Sequence, residues 1–320
     1  MSDLETELRQ TFGDESVARD AALAPLTTFK VGGPADWLLT LRSGDEVKRA
    51  VAIAREHDLP ITLLGGGSNL LVADAGVRGL VLRIHGGEVR FVDDTTVRAD
   101  AGVTINGLVR WTVSHGVAGI EAWAGTPGTV GGAIYGNAHF EGRLVSELLR
   151  RVTLLSPSGD EVTVDADAME FGYDYSRLHR TREIVLSADI RIRQGDPAAL
   201  REVARQSLAF RKRTQPLEKA SAGCIFQNPN LAQDRVPDGI PPSAGALVDR
   251  AGLKDAREGG ARVSARHANF IVNDGGATAA DITRLIERCR REVRERFGVE
   301  LRDEIVRIGF DEETNGHSEG

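Results

Sequence analysis

Apolar positions along this chain switch between a period of two and a period near 3.6, the mark of mixed strands and helices. Residues 1–20 read as a polar helical lead-in, and TTFKVGGPADWLLTL (27–41) reads as strand, glycine turn, strand. In GDEVKRAVAIAREHD, Val47, Ala50, Val51 and Ala54 recur at helical spacing, and PITLLGGGSNLLV then sets a triple glycine between two apolar runs. Short strands GLVLRI, VRFVD and TTVRAD follow around an Asp-rich turn. Residues 104–114 predict a helix with Thr104 as N-cap and Ile105, Leu108, Val109 and Val113 facing inward. RVTLLS and EVTVD, joined by PSGD, form a hairpin by their turn chemistry. Ile184, Leu186, Ala188, Ile190 and Ile192 alternate strictly, as in a half-buried strand.

Leu200, Val203, Ala204, Ser207 and Leu208 predict a helix over 198–213, where a last domain begins. Residues 214–270 are loop-rich, and HANFIVN reads as a strand. Asp281–Phe297 is an amphipathic helix with Ile282, Leu285, Ile286, Cys289, Val293 and Phe297 on one face. Thr278 with Asp281 approximates a capping box in front of it. Strand EIVRIG follows, and the tail DEETNGHSEG is expected to be disordered. The pattern divides the chain at 1–20, 21–90, 91–197, 198–310 and 311–320.

Forty basic against 47 acidic residues leave a net charge of −7, and no long basic run occurs, which argues against a nucleic-acid partner. The chain has no apolar run near the ~20 residues of a bilayer span, and its acidic, polar start is unlike a signal peptide. Two cysteines, Cys224 and Cys289, make neither a disulfide framework nor a Cys-rich metal site, and the histidines lack metal-binding spacing. The expected setting is a reducing cytoplasm, with no metal, no membrane and no obligate protein partner.

The informative residue is glycine: 36 in 320, clustered. Gly65-Gly66-Gly67-Ser68-Asn69 lies between apolar strands, where exposed backbone N–H groups suit a phosphate and a tight turn is the plain alternative. The second cluster runs Gly125, Thr126, Pro127, Gly128, Thr129, Gly131, Gly132, with Gly136 beyond, too many glycines for turns alone. Neither cluster matches GxGxxG or GxxxxGK[ST]. Two such loops about 60 residues apart suggest an extended pyrophosphate ligand held between two lobes, and FAD fits that description.

TFKVGGPADWL, LGGGSNLLV, GTPGTVGGAIYGNA, SAGCIFQNP, and AGLK followed by GGARVSARHANFIVN, in this order over roughly residues 20–310, resemble the UDP-N-acetylenolpyruvoylglucosamine reductases. The resemblance implies an α+β fold: two α/β FAD-binding lobes of the vanillyl-alcohol-oxidase type (PCMH-type), over 21–90 and 91–197, and a C-terminal α/β substrate domain over 198–310. The short stretch between FGYDYS and SAGCIF matches the form lacking an extra substrate-closing segment. It further implies non-covalent FAD, NADPH as reductant and a UDP-sugar substrate whose enolpyruvyl ether is reduced in peptidoglycan synthesis. Beside the two glycine loops, it implies Val31, Leu70, Asn137 and Val185 as cofactor contacts.

For site residues, the resemblance implies Cys224 as proton donor, where most of the family has serine, against the plain reading of a small buried thiol. A thiol with a reference pKa of about 8.5 is largely protonated near neutrality and is a stronger acid than an alcohol. Glu304 matches the family's glutamate in its last strand and would orient or protonate the enolpyruvyl carboxylate. Asn228 matches a substrate-contacting asparagine, and Arg211 and Arg213 are candidates for phosphate. Two departures stand out. FGYDYSRLH puts Asp174 where the family has arginine, with Arg177 three residues on as a candidate substitute. Val306 replaces a second arginine two residues after Glu304, and strand alternation puts Arg307 on the opposite face. The alternative function is therefore a catalytically weakened binder of flavin or UDP-sugar. An oxidase of the same fold is a third reading, against which SAGCIFQNP speaks.

Overall fold

The computed structural model describes residues 3–310, so the expected disordered tail lies outside the described residues. Helices are α1 (Asp3–Phe12), α2 (Gly44–Glu56), α3 (Ile105–Ser114), α4 (Val130–Tyr135), α5 (Leu178–Thr181), α6 (Pro197–Thr214), α7 (Ala244–Arg250) and α8 (Ala279–Phe297). The first strands are β1 (Val17–Ala22), β2 (Pro34–Leu41), β3 (Ile61–Leu64), β4 (Leu70–Val72), β5 (Val77–Ile84), β6 (Val89–Asp93), β7 (Thr96–Asp100) and β8 (Val117–Ala118). Then come β9 (His139–Phe140), β10 (Arg143–Leu144), β11 (Leu149–Leu155), β12 (Glu161–Asp165), β13 (Ile184–Arg191), β14 (Arg193–Gln194), β15 (Arg257–Glu258), β16 (Ala261–Val263), β17 (Ile271–Asn273) and β18 (Val306–Ile308). This is the α+β class. The chain forms two compact units, one of Met1–Arg19, Trp37–Gly66 and Gly79–Arg211, the other of Asp20–Asp36, Gly67–Arg78 and Lys212–Gly320.

In the first unit, a sheet of order β1-β2-β5-β3 carries β3 parallel to β5, Ile61 opposite Leu80. Its core packs Leu39, Leu41, Val47, Val51, Leu80 and Leu82. Val47, Ala50, Val51 and Ala54 are the buried stripe of α2, whose first turn is closed by Ser43 Oγ accepting from Glu46 N–H at 3.2 Å. A second sheet, β12-β11-β13-β7-β6, is antiparallel and has its own core of Val97, Leu108, Val152, Leu154, Ala188 and Ile190. Thr104 caps α3 as expected, accepting from Gly107 N–H at 3.0 Å.

Several local expectations change. The helical lead-in stops at Phe12, because Gly13 adopts φ +82°, and residues 17–22 form β1 instead. The stretch 27–33 is not a strand: Lys30 (φ +57°) and Gly32 (φ +128°) break the extended backbone, and regular pairing starts at Pro34. β13 is buried on both faces rather than half-buried, since it is the middle strand and both α2 and α4 pack against it.

In the second unit, β15-β16-β17 is antiparallel and β4 runs parallel to β18, Leu70 opposite Val306. HANFIVN is extended only from Ile271; before it, Ser264 Oγ accepts from Arg266 N–H at 3.2 Å and folds the chain into a turn. α8 buries Ile282, Leu285, Ile286, Cys289 and Val293. Its capping box is complete: Thr278 Oγ1 accepts from Asp281 N–H at 3.0 Å, and the Asp281 carboxylate accepts from Thr278 N–H at 3.1 Å.

Candidate active site

The two glycine loops are forced glycine-rich by mutual approach. A Cβ on Gly66 would lie 2.6 Å from Gly128 Cα, and one on Gly65 would lie 2.6 Å from Thr129 Oγ1. Thr129 also caps α4, accepting from Gly132 N–H at 3.3 Å. Asn106, on α3, braces the second loop: its Oδ1 accepts from Gly125 N–H at 2.7 Å and its Nδ2 donates to Thr126 O at 3.1 Å. Arg211, only 5% exposed, donates to Thr126 Oγ1 at 2.7 Å and lies 3.7 Å over the Phe140 ring. Its contact is therefore with the loop itself. Asn106 escaped the sequence reading; an asparagine two residues past a helix N-cap was its only signal. In the first loop, the N–H groups of Gly66, Gly67, Ser68 and Asn69 find no hydrogen-bond acceptor among the described residues. Side-chain-free backbone with unengaged N–H groups is what a diphosphate requires, so these loops fit FAD.

The other expected cofactor contacts are placed as follows. Val185, on β13, lines a small cleft with Arg42, Asp100 and Gly102. Val31 is buried in the core of the second unit, and Leu70 opens β4. Asn137 is buried with φ +42°, its Nδ2 donating to Gly172 O at 2.8 Å and its Oδ1 accepting from Ser146 N–H at 3.2 Å. Trp123 is core, and Tyr135 packs on His179 with ring centroids 4.1 Å apart.

The departures from the family motif also have definite positions. Asp174 sits at the tip of a tight turn with φ +51° and pairs with His139 Nδ1 at 3.1 Å. Arg177 is held by Glu183 at 2.9 and 2.8 Å and donates to Ala168 O at 3.0 Å, so a carboxylate of the same unit already balances its charge.

In the second unit, the segment carrying Cys224 pairs antiparallel with the segment carrying Glu304. Glu304 N–H donates to Ile225 O at 2.8 Å, Gln227 N–H donates to Arg302 O at 2.9 Å, and Phe226 bridges Asp303. Glu304 thus precedes β18 rather than lying within it. Asn69, from the first glycine loop, donates its amide to Glu304 O at 2.9 Å. Cys224 is half-buried. Asn228 Oδ1 accepts from Ala244 N–H at 3.1 Å, at the start of α7. Arg213 is exposed near the end of α6. Arg307 turns to Asp303 and Glu287, at 3.0 and 3.3 Å. His267 is pushed below the ordinary imidazole range by burial and by nearby Lys254. Cys289 is core, and burial pushes its thiol up to about 12.

Comparison with known proteins decides the family. Residues 215–308 match the C-terminal domain of UDP-N-acetylenolpyruvoylglucosamine reductase, and residues 35–165 match an FAD-binding domain. A reductase of that name from Bacillus velezensis is 38% identical, with 92% of this chain and 94% of the relative covered. This chain belongs to the UDP-N-acetylenolpyruvoylglucosamine reductase family. Another family member, from Heliobacterium modesticaldum, is 40% identical over 88% of both chains. The crystal structure of the reductase from Thermus caldophilus superposes with a TM-score of 0.74 at 33% identity, covering 91% of this chain and 98% of that one. As a reductase-family chain with an FAD-binding domain, the protein is an FAD-dependent oxidoreductase. Among the described residues, no helix is long and apolar enough to cross a membrane.

Proposed function

We propose that this chain reduces UDP-N-acetylglucosamine enolpyruvate to UDP-N-acetylmuramate in cytoplasmic peptidoglycan synthesis, with NADPH as reductant and Cys224 as proton donor. The supporting observation is the short ladder that ties Cys224, Glu304 and Asn69 together through Ile225 O, Glu304 N–H and Glu304 O. It links a candidate acid, a candidate carboxylate and a glycine loop suited to a diphosphate.

Bound and reduced FAD would supply the hydride that saturates the enolpyruvyl C=C bond at its terminal methylene carbon, which leaves the carbon bearing the carboxylate to be protonated. Cys224 gives that carbon its Sγ proton, becomes thiolate and recovers a proton from water. Glu304, its backbone fixed at both N–H and C=O, orients the substrate carboxylate. Gly66 to Asn69 would hold the cofactor's diphosphate through their backbone N–H groups. Asn228 and Arg213 are the candidate contacts to the UDP-sugar. The weakened-binder reading draws on Asp174 at the family's arginine position and on Arg177 being held by Glu183.

NADPH oxidation by the holoenzyme, with and without the enolpyruvyl nucleotide, separates these readings. Strong substrate-dependent oxidation is expected; tight nucleotide binding without turnover selects the binder instead. Cys224→Ser retains appreciable turnover, whereas Cys224→Ala is still reduced by NADPH but is not reoxidised by substrate. Normal reoxidation in Cys224→Ala would remove the thiol from the mechanism.

A further inference from the structure

We infer that Arg83, with Arg42 and His85 beside it, holds the diphosphate of FAD. All three residues belong to the first unit. Arg83, on β5, is in register with Leu64, the last residue of β3, and Gly65 and Gly66 of the first glycine loop come next. Paired residues on neighbouring strands share a face, so Arg83 leaves the sheet on the side of Leu64, at the root of that loop. Leu80 and Leu82 take the opposite face, in the core with α2. His85 follows Arg83 at the strand period of two. Its N–H donates to Leu41 O at 2.9 Å, which sets Arg42 beside it. Arg42 in turn borders the cleft lined by Val185.

Two guanidiniums and an imidazole thus gather without a counter-charge. Arg83 and His85 are half-buried and Arg42 is exposed. Among the described residues, no carboxylate forms an ion pair with any of them. The nearby carboxylates turn to backbone instead: Glu46 accepts from Arg42 N–H at 2.6 Å, and Asp100 accepts from Glu88 N–H at 3.0 Å. Burial pulls Arg83 below the ordinary guanidinium range, and Arg42 acts in the same direction. Burial, then Arg83 and Arg42, lower His85. A half-buried guanidinium beside a second one is unfavourable until an anion joins them. Phosphate oxygens match the paired donors of a guanidinium. Each phosphate of FAD carries a negative charge, and Gly66 N–H offers a donor but no net charge. Arg83 and Arg42 supply the charge that the glycine loop lacks.

The test titrates deflavinated protein with FAD, followed by flavin fluorescence, at low and high salt. Arg83→Gln should raise the Kd about tenfold or more, and Arg83→Lys should recover part of the loss. Arg42→Gln should weaken binding in the same sense and, as a change to an exposed side chain, keeps the test open if Arg83→Gln does not fold. Arg201→Gln, exposed on α6, removes the same charge elsewhere and should leave the Kd within about twofold. Added salt should weaken FAD binding in wild type and do so much less in Arg83→Gln. An unchanged Kd in Arg83→Gln and Arg42→Gln, an equal rise in Arg201→Gln, or a salt dependence in Arg83→Gln equal to that of wild type would each overturn the inference. None of these readouts depends on which nucleotide the enzyme reduces.

Discussion

Gly66→Ala tests whether the glycine loops are a cofactor cradle. Gly66 does not need a left-handed backbone, so alanine adds one methyl group and no φ strain. That methyl would lie 2.6 Å from Gly128 Cα, 3.1 Å from Gly128 C and 3.2 Å from Gly128 N. All three atoms are backbone, so no flexible side chain can give way. The loops must separate by roughly 1 Å to reach an ordinary carbon–carbon distance of about 3.5–4.0 Å. Overpacking of this kind costs about 1–3 kcal/mol. If that cost falls on the bound state, FAD affinity drops roughly 5- to 150-fold. Titration of deflavinated protein with FAD, followed by flavin fluorescence, measures the loss. Gly136→Ala is the control: a Cβ there meets nothing within 4 Å, and affinity should hold. FAD affinity in Gly66→Ala equal to that of the control would refute the cradle.

Three further outcomes concern the scaffold. The folded chain keeps the Cys289 proton up to about pH 12, while the unfolded chain loses it near 9, so stability falls as pH rises between these values. Urea unfolding at pH 8 and 10 should show Cys289→Ala losing less stability over that span, by about 1 kcal/mol, and equal losses would refute it. Asp274 is held at about 2, chiefly by Lys219, with Arg257 and Arg262 contributing. Its contribution is present above about pH 3.8 and fades as pH falls toward 2, so Asp274→Asn should flatten the acid limb of the unfolding midpoint, and an unchanged limb would count against the network. Thr278→Ala should cost about 1 kcal/mol in urea unfolding and Thr278→Ser little, because only the first loses the cap on α8.

What the sequence disclosed was the chemistry that acts over a few residues. Thr104 and Thr278 announce their helices because a cap reaches only three residues ahead, and the α2 and α8 stripes follow from a helical period that needs no partner. β13 misled because its burial depends on which strands flank it, and alternation carries no such information. The break at Lys30 and Gly32 misled because runs such as TTFKV satisfy strand propensity while the backbone obeys a local left-handed constraint. The glycine loops were legible as unusual, yet their cause, Gly66 against Gly128, joins distant segments. The ladder between residues 225–227 and 302–304 is likewise long-range. Only the order of motifs pointed to it, because neither SAGCIFQNP nor LRDEIVRIG can satisfy its backbone alone. His139 and Asp174 mark the other limit. Asp174 reads alone as a reversed charge, and only the fold brings the His139 imidazole within 3.1 Å of its carboxylate.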